Sequence, residues 1–114
     1  MPRPFEIWLT DLNPLRSTEP GKVRPVMIVQ SNLLNEVHLS TLVCPMTTHL
    51  VDDAKVLRVR VPTVLSGLDT DFDVLIDQIR AIDNRRLLQK PRDLPMDLKN
   101  VVRFNLKVVL DLDW

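Results

Sequence analysis

The sequence predicts an α+β fold: a small, strongly curved antiparallel sheet with one helix at its end. Short apolar or alternating runs recur along most of the chain, separated by turn formers. Only Leu94 to Leu112 sustains a helical pattern. Strands first and helix last is the order of a segregated α+β protein rather than of alternating βα units.

Phe5 to Leu9 reads as the first strand. Asp11 to Lys22 (DLNPLRSTEPGK) is a loop, with Pro20-Gly21 suited to the centre of a type II turn, where Gly supplies the positive φ. Pro25 to Val29 (PVMIV) is a nearly continuous apolar run, the mark of a strand buried on both faces. Pro25 is tolerated because it opens that strand. Leu39 to Val43 is the next strand, which Pro45 should end. Val56 to Val61 (VLRVRV) alternates and sets Arg58 and Arg60 on one face. Val74 to Ile82 is extended with polar insertions. A short helical turn follows at Asn84 to Leu88, capped by Asp83 or Asn84.

In the helical segment, Pro95 fits the first turn. Lys99, Arg103, Lys107 and Asp111 fall four apart and form one polar stripe. Most other positions are apolar, so the apolar arc is wider than a single core contact requires. Either the helix is deeply buried in its own domain, or it packs on its own sheet and also on a second subunit.

The chain has 114 residues, 45% of them hydrophobic, which suits one domain over 1–114 with a real core. Fifteen basic residues balance fifteen acidic ones, so a globally basic nucleic-acid binder is not indicated. The single Cys44 excludes an internal disulfide framework and suits a reducing compartment. With His38 and His49 as its only possible partners of that kind, a Cys/His zinc site is not expected. MPRPFEIWL has no apolar core of a secretory signal, and no run approaches the roughly 20 apolar residues of a membrane helix. A soluble, cytoplasmic protein without a membrane partner is expected.

Charge is segregated locally. Gly67 to Asp77 holds four acidic residues and no basic one. Ile79 to Arg92 holds five basic residues (Arg80, Arg85, Arg86, Lys90 and Arg92) against Asp83 alone. That run is a solvated face or a surface for a polyanion. DTDFDV (Asp69 to Val74) opens like a calcium loop. It then fails where the sharp turn needs Gly and has Val74, and where a bidentate Glu belongs and Arg80 stands. It reads better as an acidic hairpin tip.

CPMTTHL (Cys44 to Leu50) gathers a thiol, two hydroxyls and an imidazole behind a strand. Cys44 lies in the strand-like run and reads as a small buried residue rather than a nucleophile. Thr47 and Thr48 either donate to a phosphate or satisfy their loop. Arg24 precedes Pro25, which restricts its backbone to extended conformations. It is either an ordinary surface cation or a fixed guanidinium aimed at an anion, a role its planar fork suits.

Three stretches together resemble the MazF/PemK family of toxin endoribonucleases: EIWLTDLNP with the turn-rich loop and GKVRPVMIVQSN, then VCPMTTHL, then DQIRAIDNRRLL. The resemblance spans nearly the whole chain. It implies a small β-barrel of the MazF/CcdB-like kind with a C-terminal helix, a homodimer, and metal-independent cleavage of single-stranded RNA without a cofactor. It implies Arg24 and Thr47 as the catalytic pair. Substrate binding falls to Glu19, Lys22, Thr48, His49, Asp77, Gln78, Arg80, Arg85 and Arg86. A cognate antitoxin with an acidic, flexible tail is the implied partner. The sequence departs from the family at Ser17-Thr18-Glu19-Pro20, where Gly-Ser-Glu-Gln is usual. Pro20 removes a side-chain amide and a backbone donor from that loop.

The implied chemistry uses the RNA's own 2′-hydroxyl and leaves a 2′,3′-cyclic phosphate and a 5′-hydroxyl. A guanidinium is a poor base. His49 has a suitable intrinsic pKa for proton transfer, although an exposed loop histidine is the simpler reading. Two rivals stand beside the ribonuclease: a CcdB-like toxin that binds a protein such as DNA gyrase, and a non-catalytic RNA-binding barrel.

Overall fold

The computed structural model describes residues 2–11, 23–35 and 37–112. The elements run β1 (Glu6–Asp11), β2 (Val23–Ile28), α1 (Asn32–Asn35), β3 (Ser40–Thr47), β4 (Arg58–Val61), α2 (Thr63–Ser66), β5 (Phe72–Leu75), β6 (Arg80–Asp83), β7 (Leu87–Asp93) and α3 (Met96–Val109). Short 3-10 turns at Ile76–Gln78 and Asn84–Arg86 link β5 to β6 and β6 to β7. The turn expected at Pro20-Gly21 lies outside the described residues.

The fold is α+β, with a seven-stranded antiparallel sheet and a C-terminal helix, as expected. Its order is β4-β5-β3-β2-β1-β7, and β6 also pairs with β3. β5 and β6 are two halves of one interrupted strand lying along β3. Val43 faces Arg80 while Met46 faces Val74. The turn Ile76–Gln78 absorbs the three extra residues between those ladders. Fully buried Ile76 pins the turn, and Asp77 and Gln78 are left exposed.

β3 does not stop before Pro45, as the sequence suggested, but runs through it to Thr47. Proline breaks a ladder by lacking an N–H. Here that gap falls beside the interruption between β5 and β6, where β3 has no ladder partner on that side while β2 pairs with it on the other. β7 is an unpredicted strand. Its Lys90, Pro91 and Arg92 disguise it, and that composition belongs to an edge.

The sheet curls strongly. β6 flanks β3 and β7 flanks β1, with β2 between, yet only Asn84–Arg86 connects β6 to β7. Two register shifts along the β1–β7 ladder add to the bend. Asn84 fastens the connection by accepting from Thr41 Oγ1 (2.5 Å) and donating to the His38 carbonyl (2.7 Å). The predicted cap is present: Asp83 Oδ1 accepts from the Arg85 N–H at 2.8 Å.

The barrel implied by the family resemblance does not close. Among the described residues no ladder joins β4 or β6 to β7. β4 is only four residues long, and β7 carries a proline, so neither edge offers a full row of partners. α3 packs instead over β4 and the Ile76–Gln78 turn.

Both faces of the central strands are buried. One core gathers Ile7, Met27, Cys44, Met46, Val59, Val61, Val74, Ile76 and Val102 under α3. A smaller one inside the curl holds Val26, Ile28, Val43 and Ile82, with Trp8 and Leu87 against it. This double burial is what the apolar run in β2 reports. Each fully buried Val, Ile or Met contributes about 1.5–3 kcal/mol.

The helix corrects one expectation of deep burial. Val102 and Asn105 are its buried residues, and Asn105 Nδ2 donates to the Lys55 carbonyl at 3.0 Å. Of the charged stripe, Arg103 is not simply solvated: its guanidinium lies 4.8 Å above the Phe5 ring. Phe104, by contrast, is 60% exposed, with Met96, Val101 and Leu110 also open.

Candidate functional site: a polar row across the sheet

Arg24 sits in β2 just before Pro25, exposed at the strand's entry. Its backbone is fixed from below: the fully buried Thr10 pairs with it, and Thr10 Oγ1 donates to the Arg24 carbonyl at 3.0 Å. In the β2–β3 ladder Val26 faces Pro45. That register, carried on by two residues, sets Arg24 opposite Thr47. Residues opposed in this way share a face and stand within side-chain reach.

The same line continues in both directions. Thr10 faces Leu87 of β7, Thr47 faces Asp73 of β5, and Asp73 faces Arg60 of β4. Leu87, Thr10, Arg24, Thr47, Asp73 and Arg60 therefore form one transverse row. Among the described residues no carboxylate pairs with Arg24. A guanidinium and a hydroxyl thus fall at opposed positions of the row, and among the described residues no acid is bonded to the cation.

The Thr47 hydroxyl is oriented by its own loop. The His49 N–H donates to Thr47 Oγ1 at 3.1 Å, which occupies a lone pair and leaves the hydroxyl proton to donate elsewhere. Thr48 and His49 are exposed beside it.

At the far end of the row the charges are spent. Asp73 is 1% exposed. It accepts from Arg60 Nε at 2.5 Å, from the Val51 N–H at 3.0 Å and from Arg58 Nη1 at 3.3 Å. Arg60 also reaches Asp52 at 2.7 Å, and Arg58 Nη1 donates to the His49 carbonyl at 2.7 Å. Burial works to raise the pKa of Asp73, but the donors outweigh it and the net direction is downward. The bonds to Asp73 and Asp52 hold Arg60 still more firmly in its charged form.

The remaining sequence candidates are spread around this row. Arg86 flanks it at the β1 side, its Nη1 donating to the Asp11 carbonyl at 3.0 Å. Asp77 and Gln78 project from the 3-10 turn beside the middle of β3. Arg80 is exposed opposite Val43. Arg85 is clamped by Asp83 through two side-chain bonds of 3.0 and 2.8 Å. That pairing pulls the Asp83 carboxyl down to about 2. Glu19 and Lys22 lie outside the described residues.

Cys44 is buried in the larger core, and burial, with the Asp77 charge second, pushes its thiol up to about 12. It stays protonated and packs as a small apolar side chain. The acidic segment is also structural in part: Asp71 accepts from the Thr63 N–H and hydroxyl at 2.8 and 2.9 Å. Sequence reasoning missed Thr10 and Asp73. The alternation that put Arg58 and Arg60 on one face was the available hint that an acid must face them.

A curled antiparallel sheet with a C-terminal helix, and an arginine and a threonine at opposed positions on one row of it, defines a small α+β protein. The family model described as PemK-like, MazF-like toxin of type II toxin–antitoxin system matches residues 3–110, and the chain belongs to that family. It is similar to Endoribonuclease EndoA of Bacillus subtilis (strain 168), at 28% identity over 107 residues, covering 94% of this chain and 92% of that protein. The fold matches a Deinococcus radiodurans MazE-MazF crystal structure (TM-score 0.81, 23% identity, 98% of each chain covered). It also matches the Mycobacterium tuberculosis toxin MazF-mt6 (TM-score 0.78, 22% identity, 96% of this chain and 99% of that one).

Proposed function

We propose that this toxin is a metal-independent endoribonuclease that cleaves single-stranded RNA, with Arg24 and Thr47 as its catalytic pair. The observation that carries the reading is the register that opposes an uncommitted guanidinium to a hydroxyl whose proton is available. The reaction forms a bond from the 2′-oxygen to phosphorus and breaks the bond from phosphorus to the 5′-oxygen. The 2′-hydroxyl loses its proton and the leaving 5′-oxygen gains one. The products are a 2′,3′-cyclic phosphate and a 5′-hydroxyl.

Between them stands a phosphorane with extra negative charge. Arg24 supplies a fixed cation to it and Thr47 a hydrogen-bond donor, both held before the charge develops. The exposed positions Thr48, His49, Asp77, Gln78 and Arg80, with half-buried Arg86, bind the strand around the cleaved bond. Glu19 and Lys22 do so from the preceding loop, and Arg85 contributes less because Asp83 already neutralises it. The substrate is unpaired, since base edges in an A-form helix are hidden in its narrow major groove.

The chain acts as one domain over 1–114, in the cytoplasm, as a homodimer. The exposed apolar side chains Val101 and Phe104 of α3 support the dimer. An antitoxin bearing an acidic tail competes with RNA for the basic side of the sheet. One protein of matching fold is an endoribonuclease from a mycobacterial species in complex with its cognate antitoxin.

The test is cleavage of a long unstructured RNA in EDTA, with end groups mapped, wild type beside Arg24→Ala. Cuts at a recurring short word with cyclic-phosphate ends, lost in the variant, are expected. A folded wild type that cuts none of several RNAs would transfer the reading to a protein target, with gyrase assayed next.

A further inference from the structure

The buried acid at the end of the row has no counterpart in the reaction just described, yet it is bonded to the segment that carries the Thr47 hydroxyl. Asp73 Oδ2 takes the Val51 N–H directly. The same oxygen takes Arg58 Nη1, which in turn holds the His49 carbonyl. On the other side of the His49 Cα, in the preceding peptide unit, the His49 N–H closes on Thr47 Oγ1. Residues 47 to 51 are thus fastened at three backbone groups, and two of those fastenings converge on one carboxylate.

The carboxylate is itself located by Arg60 and by its pairing with Thr47 across the β3–β5 ladder. A short loop after a strand would otherwise be free to rotate its peptide groups, and with them the lone pair that the His49 N–H occupies. A buried ion cluster is an expensive way to gain stability, because desolvation offsets most of the attraction. It does fix geometry.

We propose that Asp73, acting through Arg58 and the Val51 N–H, is a positioning residue that sets the backbone on either side of His49 and thereby aims the Thr47 hydroxyl. This rests on the catalytic role of Thr47 given above. The acid touches no substrate. It determines which way the one neutral donor of the site points, and a small misplacement of such a group costs rate rather than binding.

The test is single-turnover cleavage of an RNA oligonucleotide carrying the mapped word, comparing Asp73→Asn, Arg58→Met and Arg58→Lys with wild type. All are assayed well below their melting temperatures. Asp73→Asn is expected to lower the cleavage rate constant by ~10- to 100-fold with KM within about twofold. Amide exchange at His49 should quicken relative to core amides. Arg58→Lys, which keeps a cation near the His49 carbonyl, should retain more activity than Arg58→Met.

In a Thr47→Val background the Asp73→Asn change should cost nothing further, because the group it aims is gone. An unchanged rate constant in the folded variant, or a full additional loss in the Thr47→Val background, overturns the proposal. If Asp73→Asn does not fold, the Arg58 pair decides by the same two criteria. If Thr47→Val is itself as active as wild type, it is the catalytic reading that has failed, and the two failures are told apart.

Discussion

Arg24 and Arg60 occupy the same transverse row but live in opposite circumstances. Arg60 is divided between Asp73 and Asp52, and its charge is consumed inside the protein. Arg24 is flanked on that row by two threonines and, among the described residues, pairs with no acid. The lesson is that a cation's availability depends on what its cross-strand neighbour is. Asp73 stands next to Arg60, and Thr47 separates Asp73 from Arg24.

The largest expected effect separates the two arginines outright. Arg24→Gln should reduce RNA cleavage by ~10²–10³ or more, the typical cost of one donor aimed at a developing charge. Its melting temperature should match wild type. Arg60→Gln should do the reverse in emphasis, lowering the melting temperature clearly, because it strips the closest partner from a buried carboxylate. Calorimetry and cleavage assays on both proteins check this. Equal melting temperatures in the two variants would erase the distinction.

A second expected effect concerns the turn that keeps the row in register. Ile76→Ala should destabilise the fold by about 2–5 kcal/mol, as cavity-forming substitutions at fully buried sites do. Urea unfolding measures it. A loss below that range would mean that the β5–β6 interruption is held by something other than the Ile76 side chain.

The third is set by acid. Asp71, Asp73 and Asp83 all have carboxyls held below their ordinary value of 3.8 in the folded protein. A folded-state pKa below the unfolded one gives stability that is complete above the unfolded value and is lost as pH falls through the folded value. Unfolding midpoints should therefore be flat from neutral pH down to about 5 and fall between about 4 and about 2. Asp73→Asn should flatten part of that slope.

The smallest expected effect is at the exposed end of the basic run. Arg85→Ala should lower the melting temperature only slightly, since its partner Asp83 is a surface acid. It should only slightly weaken RNA binding and its dependence on salt, measured by titration at several ionic strengths.

Much of this architecture was legible from residue pattern, and the exceptions share a cause. The apolar run at Pro25–Val29 announced a strand buried on both faces, and the two cores explain why. Asp83 announced a cap and is one. Pro45 misled because a strand's tolerance of proline depends on whether its neighbour needs the missing N–H there, and the neighbouring strand is interrupted at that point. β7 hid behind edge chemistry, which resembles loop chemistry. Arg24 and Thr47 could be named from their motifs. Their opposition required a register, and registers follow from ladders between segments distant in the chain. Asp73 looked like one more acid in an acidic stretch. Only the arginines folded against it make it singular.

The pairing of β1 with β7 has a bearing on when this protein comes into being. Glu6 is held by Asp93, and Thr10, which anchors Arg24, is held by Leu87. A nascent chain has no partner for the outer edge of β1 until β7 has been made. Contacts this remote in sequence form late and slowly. The activity proposed for the finished molecule would thus be withheld from the growing one until β7 has been made.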